Sequence, residues 1–320
     1  MNKRIVSLYV RGEQKVNERE MALLVGDNPF LGISHLSQDR ARSRGNVLDN
    51  PEYCAHLISI SIMNGANGFM FSVCNKTLSI LEELREKGII KDMNLYAIVP
   101  YAFEYVRLAT QMGGFSGLAK KVLKEMVRSR NLTAIFRGLK GVLSTDISSL
   151  MKAYLSYEVS RIRSSVGKEA NLKSILLHQA ITDLALAFNL ESLFKSYTDF
   201  ILSLGIKPGF NTGNFPYLVK KLREWSIDLN NVVIAAPFNK VGFQMNPSKE
   251  ECEKTLADFP ELTVIAISVF AAGYLRPQEA IDYISNLPNI SGIAVGVSKE
   301  KHAYETFRLF KETFQSKYCK

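Results

Sequence analysis

Two residues stand where a side chain could move a proton. Asp27 lies in Gly26-Asp27-Asn28-Pro29, directly after an apolar run, and His178 closes Ser174-Ile175-Leu176-Leu177-His178. Asp-Asn-Pro is strong turn chemistry, so Asp27 reads either as an Asx-turn acceptor or as a carboxylate serving as acid, base or substrate anchor. Histidine has an ordinary pKa of about 6.5, so small shifts change its charge near neutrality; one that ends an apolar strand is well placed for proton transfer. Lys240, in Pro237-Phe238-Asn239-Lys240-Val241, is a third candidate. In an enclosed apolar pocket its amine would lose a proton and attack a carbonyl. Cys74 would need a base beside it to act as a nucleophile, and packing is its simpler role. His35, in Ser34-His35-Leu36-Ser37, could reach the same pocket as Asp27. Asp27, His178 and Glu104 are chemically allowable ligands for a metal, but the sequence does not give their mutual distances and no metal site is expected.

A second set could hold a substrate. Asn28, Asn75, Tyr101, Asn211 and Asn239 each follow a short apolar run, with Ser72, Gln179, Thr212 and Asn214 close by. A third set suits phosphate. Ala272 and Gly273 belong to Ala271-Ala272-Gly273, and Gly296, Ser298 and Lys299 to Gly296-Val297-Ser298-Lys299. Small residues let an anion approach the backbone, and a helix N-terminus offers free donors with a partial positive charge.

These residues can meet only if the chain brings its apolar runs together. The runs are Met21–Val25, Gly68–Ser72, Leu95–Val99, Ser174–Leu177, Lys207–Phe210, Val232–Ala236, Thr263–Ser268 and Gly292–Val297. They are short and rich in β-branched residues, as buried parallel strands are. Helical signals separate them. Asp49-Asn50-Pro51 caps a helix through Cys54–Met63, Ser248-Lys249-Glu250-Glu251 is a capping box, and Arg276-Pro277-Gln278-Glu279 and Ser298-Lys299-Glu300 open two more. Eight βα units predict an α/β fold, a (β/α)8 TIM barrel, whose strand C-termini form one mouth. An open doubly wound sheet is the alternative, but no glycine fingerprint follows the first strand. Ile5–Val10 is an additional strand candidate at the N-terminus.

The spacing breaks once. Roughly 75 residues separate the third run from the fourth, where one helix needs about 20–25. Ile147, Leu150, Met151, Tyr154, Leu155, Val159, Ile162 and Val166 recur at helical spacing and predict the barrel's third helix. Residues 101–145 then form a helical insertion in the third βα loop, within a single domain spanning residues 1–320. If Phe103–Met112 is instead the third helix, the insertion lies at the barrel's other end.

Composition sets outer bounds. The chain has 320 residues, 47% hydrophobic and 22% charged, with mean hydropathy near zero. That is ordinary globular composition and excludes disordered, collagenous and coiled-coil classes. No run of about 18 apolar residues marks a membrane span, and no secretory signal is evident. Four scattered cysteines without a CxxC pair fit a reducing cytoplasm. Residues 116–145 hold seven basic residues against one acid, so +6 of the formal net charge of +9 is local. This segment reads as an electropositive cover over an anionic substrate, an attachment site for acidic lipid or nucleic acid, or a solvated helix face.

The second half is similar to the aldo-keto reductase superfamily. Leu177-His178 resembles that family's strand with the active-site histidine, and Pro208 to Phe215 (PGFNTGNF) its strand-five turn. Ile265 to Gly273 (IAISVFAAG) resembles the loop along a dinucleotide pyrophosphate. Ala294-Val295-Gly296-Val297-Ser298, with Glu305, resembles the segment holding the adenosine phosphate. The resemblance covers residues 174–312 and implies a barrel with NADP as cofactor. It departs in the first half. The family's aspartate and tyrosine around strand two are absent from Phe71-Ser72-Val73-Cys74-Asn75, and Pro100 stands where strand three would end in lysine. The Gly26–Gly32 and His35–Arg40 segments resemble a block found in archaeal and bacterial barrel proteins of unassigned reaction.

Three functions are consistent with these residues. The first is an enzyme acting at the C-terminal face on an anionic, phosphate-bearing small molecule, with His178, Asp27 and Lys240 as catalytic groups. The second is an NADP-dependent reductase with a rearranged site, and the third a non-enzymatic barrel that binds anions, lipid or nucleic acid through residues 116–145.

Overall fold

The computed structural model describes residues 21–33, 46–101, 147–168 and 170–318. Ile5–Val10, His35, Glu104, the Phe103–Met112 alternative and the basic 116–145 segment lie outside the described residues.

The eight runs form eight parallel strands: β1 Ala22–Gly26, β2 Gly68–Ser72, β3 Asn94–Val99, β4 Asn171–Leu177, β5 Lys207–Asn211, β6 Val233–Pro237, β7 Thr263–Ile267 and β8 Ile290–Gly296. Each pairs with its sequence neighbour, and β8 pairs with β1 from Ala22↔Gly292 to Gly26↔Gly296, which closes the barrel. Closure removes every sheet edge, so no row of unpaired backbone groups is left. The predicted and observed strands differ by three residues at most. The largest difference is at β4, whose first residues Asn171 to Lys173 are exposed or half-buried and therefore add no apolar signal.

The intervening segments are helices α1 Pro51–Met63, α2 Asn75–Glu86, α3 Ile147–Val166, α4 Gln179–Ala187, α5 Glu191–Ser203, α6 Phe215–Glu224, α7 Lys249–Asp258, α8 Pro277–Asn286 and α9 Glu300–Tyr318. Their starts follow local chemistry. Asn50 Oδ1 accepts from Glu52 N–H at 2.9 Å, Ser248 Oγ from Glu251 N–H at 3.2 Å, and Glu279 from Arg276 N–H at 3.2 Å. Each bond satisfies a donor that the first helical turn leaves orphaned. In α3 the predicted face packs inward through Leu155, Val159, Ile162 and Val166, whereas Leu150 points outward.

Alternation divides each strand into two faces. The inner face packs Ala22, Leu24, Met70, Tyr96, Ile98, Leu176, Val233, Ala235 and Ile265 into a separate core cluster, so the lumen is filled. The outer face, with Val25, Phe71, Val99, Phe210, Ile234 and Val295, joins the larger core beneath the helices. Gly209 must be small for this packing, because a Cβ there would lie 2.5 Å from Leu176 Cγ. Tyr197 on α5 locks the same region by donating its hydroxyl toward the strand carbonyls, with Gly209 O at 3.1 Å.

The roughly 75-residue interval leaves β3 at its C-terminal end and returns through α3, which runs antiparallel into β4. Both flanks, Tyr101 and Ile147, therefore sit toward the C-terminal face. No helix among the described residues is long and apolar enough to cross a membrane.

Candidate active site at the barrel mouth

All eight strands point the same way, so Asp27 and His178 lie at the same end of the barrel. The inner-face residues nearest that end are Ser72 on β2, Asn211 on β5, Pro237 on β6 and Ile267 on β7.

Asp27 turns off β1 and is only 4% exposed. Its Oδ2 accepts from Ser72 N–H at 2.6 Å, which ties the ends of β1 and β2 together. Burial disfavours the charged carboxylate and outweighs the stabilising bonds from the Ser72 amide and hydroxyl and from its own amide. The balance pushes its pKa from 3.8 up to about 6. Below it, Thr77 of α2 donates to Ser72 O at 2.6 Å and so fixes the β2 end from the outside.

His178 continues the β3–β4 ladder by donating its backbone N–H to Val99 O at 2.7 Å. It therefore keeps the inward parity of Ser174 and Leu176. It is also the N-cap of α4: Nδ1 accepts from Ala180 N–H at 3.2 Å. A ring nitrogen that accepts must be unprotonated, so the proton of the neutral imidazole resides on Nε2. Desolvation lowers the pKa, opposed in part by the charge of Asp183. At neutral pH His178 thus offers an uncharged Nε2–H donor, a group suited to polarising a carbonyl oxygen.

Asp183 gave no signal as a site residue in the sequence. Its Oδ1 accepts from Thr212 Oγ1 at 2.5 Å and its Oδ2 from Gly213 N–H at 3.1 Å. It therefore clamps the Asn211–Asn214 turn against α4. An acid one helical turn beyond His178, facing a polar turn, is the pattern that would have revealed it. Asn246 adds to this clamp by donating to Gly213 O at 3.1 Å. Within the clamped turn, Asn211 Oδ1 and Asn214 Oδ1 are buried and meet no hydrogen-bond donor. Leaving a buried acceptor unmade costs about 1–3 kcal/mol, so a further donor at either atom would be stabilising.

Several predicted groups are engaged elsewhere. Asn239 is fully buried, and its amide exchanges two 2.8 Å bonds with the Phe243 backbone, so it closes its own loop. Lys240 is 56% exposed with Nζ 3.9 Å from Glu279, which removes the enclosed pocket that a nucleophilic amine requires. Asn75 heads α2 at the surface and accepts from Arg161 at 2.8 Å. Asn28 is exposed and its carbonyl takes Ile33 N–H at 2.9 Å, while Tyr101 stands half-buried just past β3. Cys74 is buried at the start of α2 with Thr77 as its hydrogen-bonding neighbour.

The phosphate turns are also partly occupied. Ala271 N–H bonds Ser268 O and Gly273 N–H bonds Phe270 O, each at 2.8 Å, so these amides face into the turn. A Cβ at Gly296 would lie 2.7 Å from the Pro29 ring, so that glycine makes room for the β1 loop. A dinucleotide running along both turns would meet these self-bonded amides and the Pro29 ring. Ser298 is half-buried and Lys299 exposed, immediately before α9. Among the described residues no cluster of three His, Cys, Asp or Glu side chains could hold a metal.

Backbone strain concentrates in the same wall. Of the non-glycine residues with positive φ, Asn189, Ser226 and Asn289 follow helix ends, where left-handed residues are ordinary. Gln244, Ser268, Ala271 and Ala272 instead sit in the loops after β6 and β7, at the mouth. Strain of this kind, about 1–3 kcal/mol per residue, collects at ligand-binding loops.

No protein-family profile matches the chain, and no curated protein matches it in sequence. Solved structures do share its architecture. A Pseudomonas aeruginosa protein provisionally assigned to the aldo-keto reductases superposes with a TM-score of 0.53 at 12% identity, over 91% of this chain and 90% of its own. The holo form of an aldo-keto reductase from Bacillus halodurans gives a TM-score of 0.54 at 9% identity, over 92% and 91%. The likeness therefore spans both halves of the barrel rather than residues 174–312 alone. At these identities it establishes the TIM-barrel fold and nothing finer.

Proposed function

We propose that this barrel is an enzyme that moves a proton at a carbon next to a carbonyl group, in a small anionic molecule held at the mouth. The observation that carries this reading is the pairing of environments at one end of the barrel: a buried carboxylate titrating near 6 and a neutral imidazole with Nε2–H free. Asp27 is the proton acceptor. With its pKa pushed up to about 6 it is a stronger base than an ordinary aspartate and still ionises near neutrality. His178 donates to the carbonyl oxygen and stabilises the charge that grows there. Asn211 orients the substrate. The exposed Lys299 and the start of α9 beside Ser298 are the best-placed groups for a phosphate or carboxylate.

Solvent exchange tests this directly. In deuterated water the protein should catalyse C–H exchange beside the carbonyl in a panel of phosphorylated aldoses and ketoses and 2-oxo acids. Asp27→Asn and His178→Ala should each slow the exchange by about 10²–10⁴. Absence of exchange across the panel, or exchange indifferent to Asp27→Asn, would discard the reading.

A further inference from the structure

The strand register places His178 and Asn211 side by side. Ser174 pairs with Lys207 and Leu176 with Gly209, so the next inward positions are His178 on the β4 side and Asn211 on the β5 side. Asn211 also pairs with Ala235, a member of the inner cluster, which confirms that its side chain is on the lumen face. Neighbouring strands lie about 4.8 Å apart. The mouth thus presents one donor, His178 Nε2–H, beside one buried acceptor, Asn211 Oδ1, which meets no donor in the protein. Both are held in place from behind: Nδ1 of His178 by the Ala180 amide, and the Asn211 turn by Asp183.

We infer that this side of the mouth is a subsite for an α-hydroxycarbonyl unit. The carbonyl oxygen takes the His178 Nε2–H, and the hydroxyl on the adjacent carbon donates to Asn211 Oδ1. An adjacent carbonyl and hydroxyl present an acceptor and a donor on neighbouring carbons, the complement of the donor and acceptor that the neighbouring β4 and β5 ends carry. A compound lacking the hydroxyl would leave the buried amide oxygen unpaired, and a site built this way rejects such analogues. The inference rests on the carbonyl-centred reading above and narrows it to one substrate class.

Binding, measured apart from turnover, provides the test. The probes are dihydroxyacetone phosphate and its 1-deoxy counterpart, hydroxyacetone phosphate, titrated while the imidazole signals of ¹⁵N-histidine-labelled protein are followed. His178→Ala identifies the His178 signal. The hydroxyl-bearing probe should bind about 10- to 100-fold tighter than the deoxy probe. Asn211→Leu should abolish that difference by weakening only the hydroxyl-bearing probe, and Asn211→Asp, which keeps an acceptor, should retain it. The shift that the deoxy probe still causes at His178 reports that the Asn211→Leu mouth is folded. Equal affinities in the wild type, a difference that survives Asn211→Leu, no effect of either probe at millimolar concentration, or tighter binding of nicotinamide would each overturn the inference. The two readings fail separately. An affinity difference without deuterium exchange would sink the role of Asp27 and leave the subsite, and exchange without an affinity difference would do the reverse.

Discussion

At the scale of single residues, the places of Asp27 and His178 at the barrel mouth were legible, because place depends on residue type and position along the chain. Asp27 and His178 both follow apolar runs, and the structure places both at the ends of parallel strands. What could not be read was how each is solvated. Asp27 is buried with a raised pKa, which makes a pH prediction. Its folded pKa of about 6 exceeds the ordinary 3.8, so the folded state binds the proton more tightly than the unfolded chain. Stability from this group is therefore full below 3.8 and falls as pH rises to about 6, by roughly 3 kcal/mol at most. Denaturant melts of wild type and Asp27→Asn should give a wild-type disadvantage that grows across that window and is flat above it. A difference that runs the other way would mean that the carboxylate is not buried as described. Lys240 illustrates the opposite case. A lysine in a loop reads the same whether enclosed or solvated, and its 56% exposure could be found only from the fold.

At the scale of elements, the strands and helix caps were legible and the loops between them were not. Apolar runs and capping boxes are written in adjacent residues, whereas the clamp on the β5 turn joins Asp183 to Thr212, Gly213 and, through Gly213, Asn246. Contacts across thirty residues leave no local periodicity. This clamp has a dual consequence. Asp183→Asn removes the charge that raises the His178 pKa while leaving an acceptor for Thr212 or Gly213. The His178 titration, followed by its ring signals, should therefore move to lower pH than in the wild type. Asp183→Ala should in addition destabilise the protein by about 1–3 kcal/mol, because the Gly213 amide and Thr212 hydroxyl lose their partner. An unchanged His178 titration in both variants would show that the two groups do not interact. The strained wall of Gln244, Ser268, Ala271 and Ala272 was likewise invisible beforehand, since none of these residue types announces positive φ.

At the scale of the whole molecule, the barrel was legible from eight repeats of one pattern, and its likeness to aldo-keto reductases extends over nearly the whole chain. Shared architecture does not carry the cofactor with it. The turns after β7 and β8 look, in sequence, like those that follow a dinucleotide, because small residues are the common feature of a turn that admits a phosphate and a turn that packs tightly on itself. Here packing accounts for them: the Ala271 and Gly273 amides bond to Ser268 and Phe270, and Pro29 fills the space over Gly296. The Pro29 contact comes from the Gly26-Asp27-Asn28-Pro29 turn, whose distance of more than 260 residues from Gly296 hid it from any reading of motifs. NADPH lying along these turns would meet two amides already bonded within the turn and a proline ring beside Gly296. We therefore expect titration with NADPH to leave the cofactor's fluorescence unchanged up to millimolar concentration. A saturable change would show that the two turns open on binding. In that case Gly296→Ala, which adds a methyl group 2.7 Å from the Pro29 ring, would distinguish displacement of the β1 loop from binding elsewhere, because only displacement makes affinity sensitive to that substitution.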